Sequence, residues 1–346
     1  MWAGETIMLA AIKTVAKSFN AGLMADRRRD NLTFHIPEGD ASNPLDDILK
    51  PFADAVFAGQ FTEAVRIIRA LEASGQRGPR GRAACTVAAE RLASPIVAEN
   101  GHAERNETRL AFYADWARTS PHCPFATSAY ATALAHTGYS YRGTGWARDV
   151  SEEAWEKLRS YSQRAESVMN ASQPRFHTHY AWTLAYLRLA LVANKPTPDH
   201  LSRFQMAVNA NSHEREVYSA MAHAMMPRWF GSFDLIEHLA RQCADATRPV
   251  MGETVYAFVY DYLLTYHPPA EMGFDWTRLK RGYADWLERF PDDTTRVRLA
   301  QFAFAVGDHD HCLDALEALC TLDVDAWEIE HDVIAVNSLC REFTGR

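Results

Sequence analysis

The stretch TRVRLAQFAFAVGDHDHCLDALEALC, residues 295–320, places two apolar stripes on either side of a Gly307-Asp308 break. The first stripe comprises Val297, Leu299, Ala300, Phe302, Ala303 and Phe304, and the second comprises Cys312, Leu313, Leu316, Ala318 and Leu319. Apolar residues at intervals of three and four bury one face of a helix, and glycine often ends one. The stretch therefore predicts two antiparallel helices joined by a short turn, the unit that helical-repeat proteins stack.

The same pairing recurs along the chain. Helical pattern runs from Asn43-Pro44 to about Ala58, where Pro51 is expected to kink or divide it, and resumes at 61–73 after Gly59-Gln60. Further helices are predicted near 83–93, 105–118, 124–137, 151–171, 175–193, 198–209, 213–226, 232–246, 250–266 and 275–289, with breaks at prolines that include Pro174 and Pro249. Alternating strand patterns do not appear. The sequence therefore predicts an all-α, irregular α-solenoid of stacked antiparallel helix hairpins.

Two domains are predicted from this pattern. Residues 1–43 hold an amphipathic helix, with Met8, Ile12, Val15, Phe19 and Leu23 on one face, and a linker at 28–43. Residues 44–346 form the helical-repeat domain. Lys13 and Lys17 interrupt the apolar run, so it does not resemble a secretory signal, and no run is long enough for a membrane span. The expected location is the cytoplasm.

Composition narrows the classes of function. The chain has 346 residues, 47% of them hydrophobic and 23% charged, and a net charge of −8. A general nucleic-acid binder needs a basic surface against phosphate, so that class is disfavoured. The six cysteines form no CxxC pair, and a chain of this length needs no disulfide staples. Free, buried thiols in a reducing compartment are therefore expected.

Two segments resemble a known family. YRGTGWARDVSEEAWEKLRSYSQRAESVMN, residues 141–170, matches its pattern in Arg142, Gly143, Ala147, Val150, Trp155, Leu158 and Ala165. A corner at 227–232 matches in Pro227, Arg228, Trp229, Gly231 and Ser232. The resemblance is to the bacterial domain-of-unknown-function family 4034 and covers roughly residues 50–320. The family's Trp ahead of Arg-Gly is absent here, where Tyr139 or Tyr141 stands. The resemblance implies a tetratricopeptide-like helical fold and no particular reaction.

Motifs for metal binding and catalysis are weak. Among 14 histidines, His177 and His179 point apart on a helix, the cluster at 308–311 falls in a turn, and no HExxH pair exists. No GxSxG elbow, Walker motif or strand-linked GxGxxG is found. The glycine-rich RGTG at 142–145 is interpreted as a helix-ending turn. The sequence predicts no catalytic residue, no metal site and no cofactor.

Charged segments offer candidate binding surfaces. Residues 308–332 carry nine carboxylates, among them Asp308, Asp310 and Asp314, and no Lys or Arg. Such a stretch can steer a basic partner, although a merely solubilising face is an equal interpretation. The loop QRGPRGR, with Arg77, Arg80 and Arg82, could meet phosphate or an acidic surface, but a solvated loop is the favoured interpretation.

Aromatic and arginine side chains supply the other candidates. Tyr139, Tyr141, Arg142 and Trp146 lie near the middle hairpins, and Arg228 and Trp229 lie in the corner MPRWFGS, residues 226–232. Tyr, Trp and Arg dominate binding hot spots, whereas aromatics at helical spacing usually fill the core. At the corner, we expect Ser232 to cap the next helix, Glu237 to pair with Arg241, and the Trp229 indole to be buried between hairpins.

These patterns favour a non-catalytic module that binds a protein partner, with an immunity or antitoxin protein that sequesters a basic toxin as the specific version. One alternative is an enzyme in which Arg142 and Arg228 hold a small anionic substrate and His177 or His223 acts as base. Another alternative is a scaffold subunit of a larger assembly. Convergence of Arg142 and Arg228 in one cleft would favour the enzyme.

Overall fold

The computed structural model describes residues 46–93, 103–143, 147–319 and 338–345. These residues are overwhelmingly helical, and they contain no β-structure beyond one isolated bridge between Arg77 and Ala83. The predicted all-α fold of packed helices is therefore confirmed. The predicted helix and linker at 1–43 lie outside the described residues, so the division at residue 43 stays a prediction.

The described helices belong to two compact units, each built from segments that are not contiguous in the chain. Unit A comprises Pro44–Gly78 and Arg82–Phe230, and unit B comprises Pro79–Gly81 and Gly231–Arg346, in their described residues. The short segment Pro79–Gly81 thus belongs to unit B, although residues on both sides of it belong to unit A.

Unit A is a succession of nine helices in its described residues. Its helices are α1 (Asp46–Phe57), α2 (Phe61–Ser74), α3 (Ala84–Ala93), α4 (Ala103–Thr119), α5 (Pro124–Arg142), α6 (Glu152–Phe176), α7 (Tyr180–Val192), α8 (Thr197–Ala210) and α9 (Arg215–Ala224). The connections contain the positive-φ Gly59, which ends α1, and Gly143, with φ +71°, which ends α5 as the sequence predicts.

Unit B contains the hairpin on which the fold prediction depends. Its helices are α10 (Phe233–Met251), α11 (Thr254–Leu263), α12 (Pro269–Met272), α13 (Trp276–Arg289), α14 (Asp293–Ala305) and α15 (His309–Glu317), followed by α16 (338–344). α14 and α15 pack against each other across the Gly307-Asp308 turn, as predicted. Pro79–Gly81 forms a single 3₁₀ turn.

One row of helices runs through unit A and is called here the inner row, comprising α3, α5, α7 and α9. Each helix in the row packs on the next, while α6 packs against α5 and α8 packs against α7. α5 contacts α3, α4, α6 and α7, so most of its side chains are buried. Its small residues permit this crowding, since a Cβ at Gly138 would lie 2.9 Å from Cβ of Tyr161.

Two predicted breaks are wrong in position. Pro174 and Pro249 were expected to separate helices, yet each lies inside one, near the end of α6 and of α10. The helices continue for two residues because Phe176 and Met251, which follow the prolines, are buried and hold the last turn in place. Pro51 likewise does not divide α1, which is continuous from Asp46 to Phe57.

Large aromatic side chains fill the core of each unit. Trp116 and Trp182 are at most 1% exposed in unit A, and Trp286, Tyr283 and Phe302 are fully buried in unit B. Such side chains bury large apolar areas, and this burial drives the packing of the hairpins. In the described ranges, no helix combines the length and the apolar character that crossing a bilayer requires.

Candidate functional site

The predicted residues at the end of α5 form a small aromatic–arginine group. The Arg142 guanidinium lies 5.6 Å from the ring centre of Tyr139 and 5.5 Å from that of Trp155, and its Nη1 donates to the Gly143 carbonyl at 2.9 Å. The Tyr141 ring stacks on Tyr161 at 5.8 Å. These contacts hold the end of α5 against α6. Trp146 lies outside the described residues.

The corner after α9 forms a separate group. The Trp229 indole stacks on His223 at 6.1 Å, and the Arg228 guanidinium lies 5.5 Å from the indole centre. Trp229 is 38% exposed. The prediction that it is buried between hairpins is therefore wrong, because the indole packs on His223 and Arg228 at its own corner and remains partly exposed. The cap is confirmed, since Ser232 Oγ accepts from the Leu235 amide at 3.2 Å, and Glu237 pairs with Arg241.

The predicted enzyme alternative receives little support from these two groups. Arg142 and Arg228 have different aromatic neighbours, Trp155 and Trp229 respectively. Burial, together with the charges of Arg228 and Arg188, lowers the pKa of His223 to about 4, so its imidazole is a weak base at neutral pH. His177 is exposed, and its Nδ1 lies 3.2 Å from the Gln173 carbonyl oxygen.

The acidic candidates lie at the start of α15 in unit B. Asp308 caps this helix, and its carboxylate accepts from Trp276 Nε1 at 2.8 Å and from Lys280 Nζ at 3.2 Å. Burial alone would raise the pKa of Asp308, but hydrogen bonds from Trp276, His311 and Lys280 outweigh it and hold the pKa well below its usual range. Asp308 thus has a structural role, whereas Asp310 and Asp314 are exposed.

The prediction of a solvated basic loop is wrong for Arg77 and Arg82. In unit A, Arg82 Nε lies 2.9 Å from Glu216 Oε1, and Arg77 Nη1 lies 3.8 Å from Glu214 Oε2. Both glutamates are buried at the start of α9, where a carboxylate requires a positive partner. The pairs join residues more than a hundred positions apart, so no local pattern could have indicated them.

Arg80 makes a second set of contacts, within unit B. Its Nη2 lies 2.5 Å from Asp261 Oδ1, its Nε donates to Thr295 Oγ1 at 3.3 Å, and its guanidinium lies 5.1 Å from the Trp286 ring centre. The Trp286 indole in turn donates to the Arg80 carbonyl. Arg80 is therefore an internal structural residue and not part of an open phosphate site.

The candidate site that sequence reasoning missed is a cavity of about 200 Å³ in the inner row of unit A. It is lined from α3 by Thr86 and Ala89, from α5 by Ser128, Ala129, Ala131, Thr132, Ala135 and His136, and from α7 by Ala181, Leu184, Ala185, Arg188, Leu189 and Val192. None of the predicted binding residues lines this cavity, which we call the inner pocket.

The inner pocket exists because small side chains line the facing surfaces of α5 and α7. On both helices the lining residues recur at intervals of three and four, as one helical face requires. The sequence signal is the run FATSAYATALAHTG at 125–138. Alanines at that spacing indicate close helix packing as readily as an opening, so the sequence alone could not distinguish the two.

Two polar side chains of the inner pocket make hydrogen bonds within the protein. Ser128 Oγ donates to the Ala181 carbonyl at 3.5 Å, and Arg188 Nη2 donates to Glu216 Oε2 at 3.0 Å. Beside the lining residue Thr86, the Cys85 thiol contacts the Tyr180 hydroxyl, and burial raises the pKa of both groups. A catalytic thiol needs the opposite shift, so the contact between Cys85 and Tyr180 indicates a structural role.

The histidine pair at 177 and 179 is divided between different partners. His179 Nε2 lies 2.8 Å from Glu72 Oε1, whereas His177 faces the end of its own helix. Within the described part of the chain, no three His, Cys, Asp or Glu side chains are grouped as metal ligands would be.

Comparison with known proteins adds no relative. No family model matches the chain, and no match to it is found among curated proteins. The resemblance to family 4034 stays a prediction.

Proposed function

We propose that the chain is a non-catalytic binding module that holds a segment of a protein partner on the inner row of unit A. The inner pocket is the observation that carries this proposal. Two stacked helices present small side chains there and leave a cavity that neighbouring residues do not fill. Concave, mostly apolar openings of this kind are where binding sites concentrate.

The volume of the inner pocket suits one inserted side chain of a protein partner better than a cofactor. Sites for drug-sized ligands enclose about 300–1,000 Å³, whereas the inner pocket encloses about 200 Å³. A cavity of that size suits one inserted side chain, and single buried anchors often dominate binding energy at protein interfaces. Because Ala, Leu and Val supply most of the lining, the expected anchor is apolar.

A more specific part of the proposal concerns the charge and the type of the partner. A basic partner is supported by the net charge of −8 and by Asp310 and Asp314, which are exposed on α15. The specific version is a cytoplasmic immunity or antitoxin protein. A toxin-like reading frame beside the gene would support that version, and its absence would remove most of the support without affecting the pocket.

A pair of matched variants tests the pocket. Ala185→Leu fills the cavity from α7, whereas Ala171→Leu places the same side chain on an exposed position of α6. The tagged parent chain and both variants are used to purify partners from the native organism, after circular dichroism and thermal melting have shown that all three are folded. We expect a stoichiometric protein that the parent and Ala171→Leu retain and that Ala185→Leu loses.

Two outcomes would contradict the proposal. If the parent and both variants retain the partner equally, the interface lies outside the inner pocket. That outcome would be consistent with the scaffold alternative. Recovery of a small anionic molecule that the protein converts, with no protein partner, would support the enzyme alternative.

A further inference from the structure

The lining of the inner pocket changes from apolar inside to polar at its edge. Its buried lining residues are mostly Ala and Leu. Its half-buried lining residues instead include three polar ones, Thr132 and His136 on α5 and Arg188 on α7. A molecule that enters the pocket therefore meets an apolar surface inside and hydrogen-bonding groups near solvent.

Arg188 gives the edge of the pocket its charge. Among the described lining residues it is the one that is permanently charged, and none of them is Asp or Glu. The Arg188 side chain is 39% exposed. A side chain that lines a pocket and also stays exposed lies at the boundary between the pocket and solvent, where its guanidinium can meet an incoming molecule.

The carboxylate that pairs with Arg188 does not cancel this charge. Glu216 Oε2 lies 3.0 Å from Arg188 Nη2, but Glu216 Oε1 also lies 2.9 Å from Arg82 Nε and 3.6 Å from Arg215 Nη1. One carboxylate is thus shared by three guanidinium groups. The Glu216 side chain is only 11% exposed, so the charge that an incoming molecule meets beside the pocket is positive.

We infer that the inner pocket binds an apolar group that carries a carboxylate, with the apolar group inside the pocket and the carboxylate on Arg188. This inference rests on the proposed function, because it takes the inner pocket to be the binding site. A guanidinium can donate two parallel hydrogen bonds to a carboxylate, and such charged hydrogen bonds are stronger than neutral ones. The Thr132 hydroxyl can donate a further hydrogen bond from α5.

Two kinds of molecule present this chemistry. One is the carboxyl end of a partner chain whose last side chain is apolar, and the other is a free carboxylic acid with a short branched chain. Each has an apolar group a few bonds from its carboxylate and fits a cavity of about 200 Å³. Because every protein chain ends in a carboxylate, the first source is compatible with a basic partner.

Titration of the full-length protein with small probes, followed by saturation-transfer-difference NMR, tests the inference. N-acetyl-leucine represents the carboxyl end of a chain, and isocaproate represents the free acid. We expect at least one of them to bind with a Kd on the order of 1 mM, because so small a ligand makes few contacts. The matching amides keep the apolar group without the charge and should bind about tenfold more weakly. N-acetylglycine, which lacks the apolar side chain, should not bind measurably.

Four variants locate the binding of these probes. Arg188→Gln should remove the preference for acid over amide, whereas Arg188→Lys keeps the charge and should keep most of the preference. Ala185→Leu fills the pocket and should abolish binding of every probe. Arg164→Gln is the matched control, because it removes an exposed cation of α6 that does not line the pocket. Glu216 keeps two arginine partners in Arg188→Gln, so we expect this variant to fold, which circular dichroism checks.

The outcomes separate this inference from the proposed function. If the acids and their amides bind equally and Ala185→Leu loses both, the pocket holds an apolar group alone, and the inference is wrong while the proposed function stands. Acid binding that Ala185→Leu or Arg188→Gln leaves unchanged would also overturn the inference. So would the absence of binding at millimolar concentration, and partner purification with Ala185→Leu then decides the proposed function by itself.

The relative affinity of the two acids identifies the source of the carboxylate. Tighter binding of N-acetyl-leucine than of isocaproate would support the inference with the carboxyl end of a partner chain as the ligand. The reverse order would support it with a free acid as the ligand and would contradict the protein anchor of the proposed function.

Discussion

The surroundings of two tryptophans show how much a single residue depends on what packs around it. The Trp182 indole is fully buried in unit A, and its Nε1 donates to Ser172 Oγ at 2.8 Å. The Trp229 indole, in the same unit, keeps 38% of its surface exposed at the corner before α10. The apolar area that an indole buries determines how much it stabilises the fold. The two tryptophans therefore contribute different amounts to stability although their side chains are identical.

Replacement by alanine should therefore lower the free energy of unfolding more at Trp182 than at Trp229. We expect Trp182→Ala to lower the free energy of unfolding by about 3–5 kcal/mol, because it leaves a cavity and removes the buried hydrogen bond from the indole to Ser172 Oγ. Trp229→Ala is expected to cost about 1 kcal/mol, because the indole is half exposed. Urea unfolding followed by far-UV circular dichroism measures both without depending on tryptophan fluorescence. Similar losses for the two variants would show that Trp229 is structural.

The corner at residues 226–232 also shows which features neighbouring residues determine and which they do not. The turn, the Ser232 cap and the Glu237–Arg241 pair follow from neighbours in the chain, and the structure confirms them. The burial of Trp229 depends on which distant elements cover it, and the pattern of residues 226–232 carries no information about that. The local contacts were therefore predictable, and the exposure was not.

The positions of most helices could also be predicted, because they too depend on neighbouring residues. The spacing of apolar residues located most of the helices of both units, because helical periodicity is encoded within each segment. The errors at Pro174 and Pro249 arise where buried residues beyond the proline keep the helix intact. The inner pocket was missed because it depends on how closely α5 approaches α7, a distance that neither helix encodes alone.

Close approach of two helices makes one glycine sensitive to substitution. At Gly282 on α13, an added Cβ would lie 2.6 Å from the Glu253 carbonyl oxygen and 3.0 Å from Cβ of Ala257 on α11. Alanine is normally favoured over glycine inside a helix by about 1 kcal/mol. Here the clash with backbone opposes that gain, because a carbonyl at the start of α11 cannot move without shifting the helix.

We expect Gly282→Ala to lower the free energy of unfolding by about 1–3 kcal/mol. The neighbouring Arg281→Ala, at an exposed position of α13, should change it by less than about 0.5 kcal/mol. Chemical denaturation of both variants provides the measurement. A gain in stability for Gly282→Ala would mean that α11 and α13 are less closely packed than described.

At the scale of the whole molecule, Pro79–Gly81 is a segment whose unit differs from that of its neighbours in the chain. It belongs to unit B, where Arg80 pairs with Asp261, a residue that is only 2% exposed. The Tyr283 hydroxyl also donates to this carboxylate, at 3.4 Å. No local pattern predicts this pairing, because it joins residues 181 positions apart.

Removal of the Arg80 guanidinium should therefore lower the stability of the protein. We expect Arg80→Ala to lower the free energy of unfolding by about 3–5 kcal/mol, because a buried carboxylate loses its charged partner. Asp261→Asn in the Arg80→Ala background removes the uncompensated charge and should recover part of the loss. Thermal and urea unfolding of the single and double variants test this. If the double variant is no more stable than Arg80→Ala, the charge of Asp261 is not the cause.

The placement of Pro79–Gly81 also limits how this chain can be recombined. A junction at any point between residues 82 and 260 takes Arg80 from one parent and Asp261 from the other. A chimaera made there is viable only if both parents carry a compatible pair, however well their helices align. The apparent boundary at Phe230–Gly231 is thus a poor place to exchange segments, and the tripeptide has to be inherited together with the residues from 231 onwards.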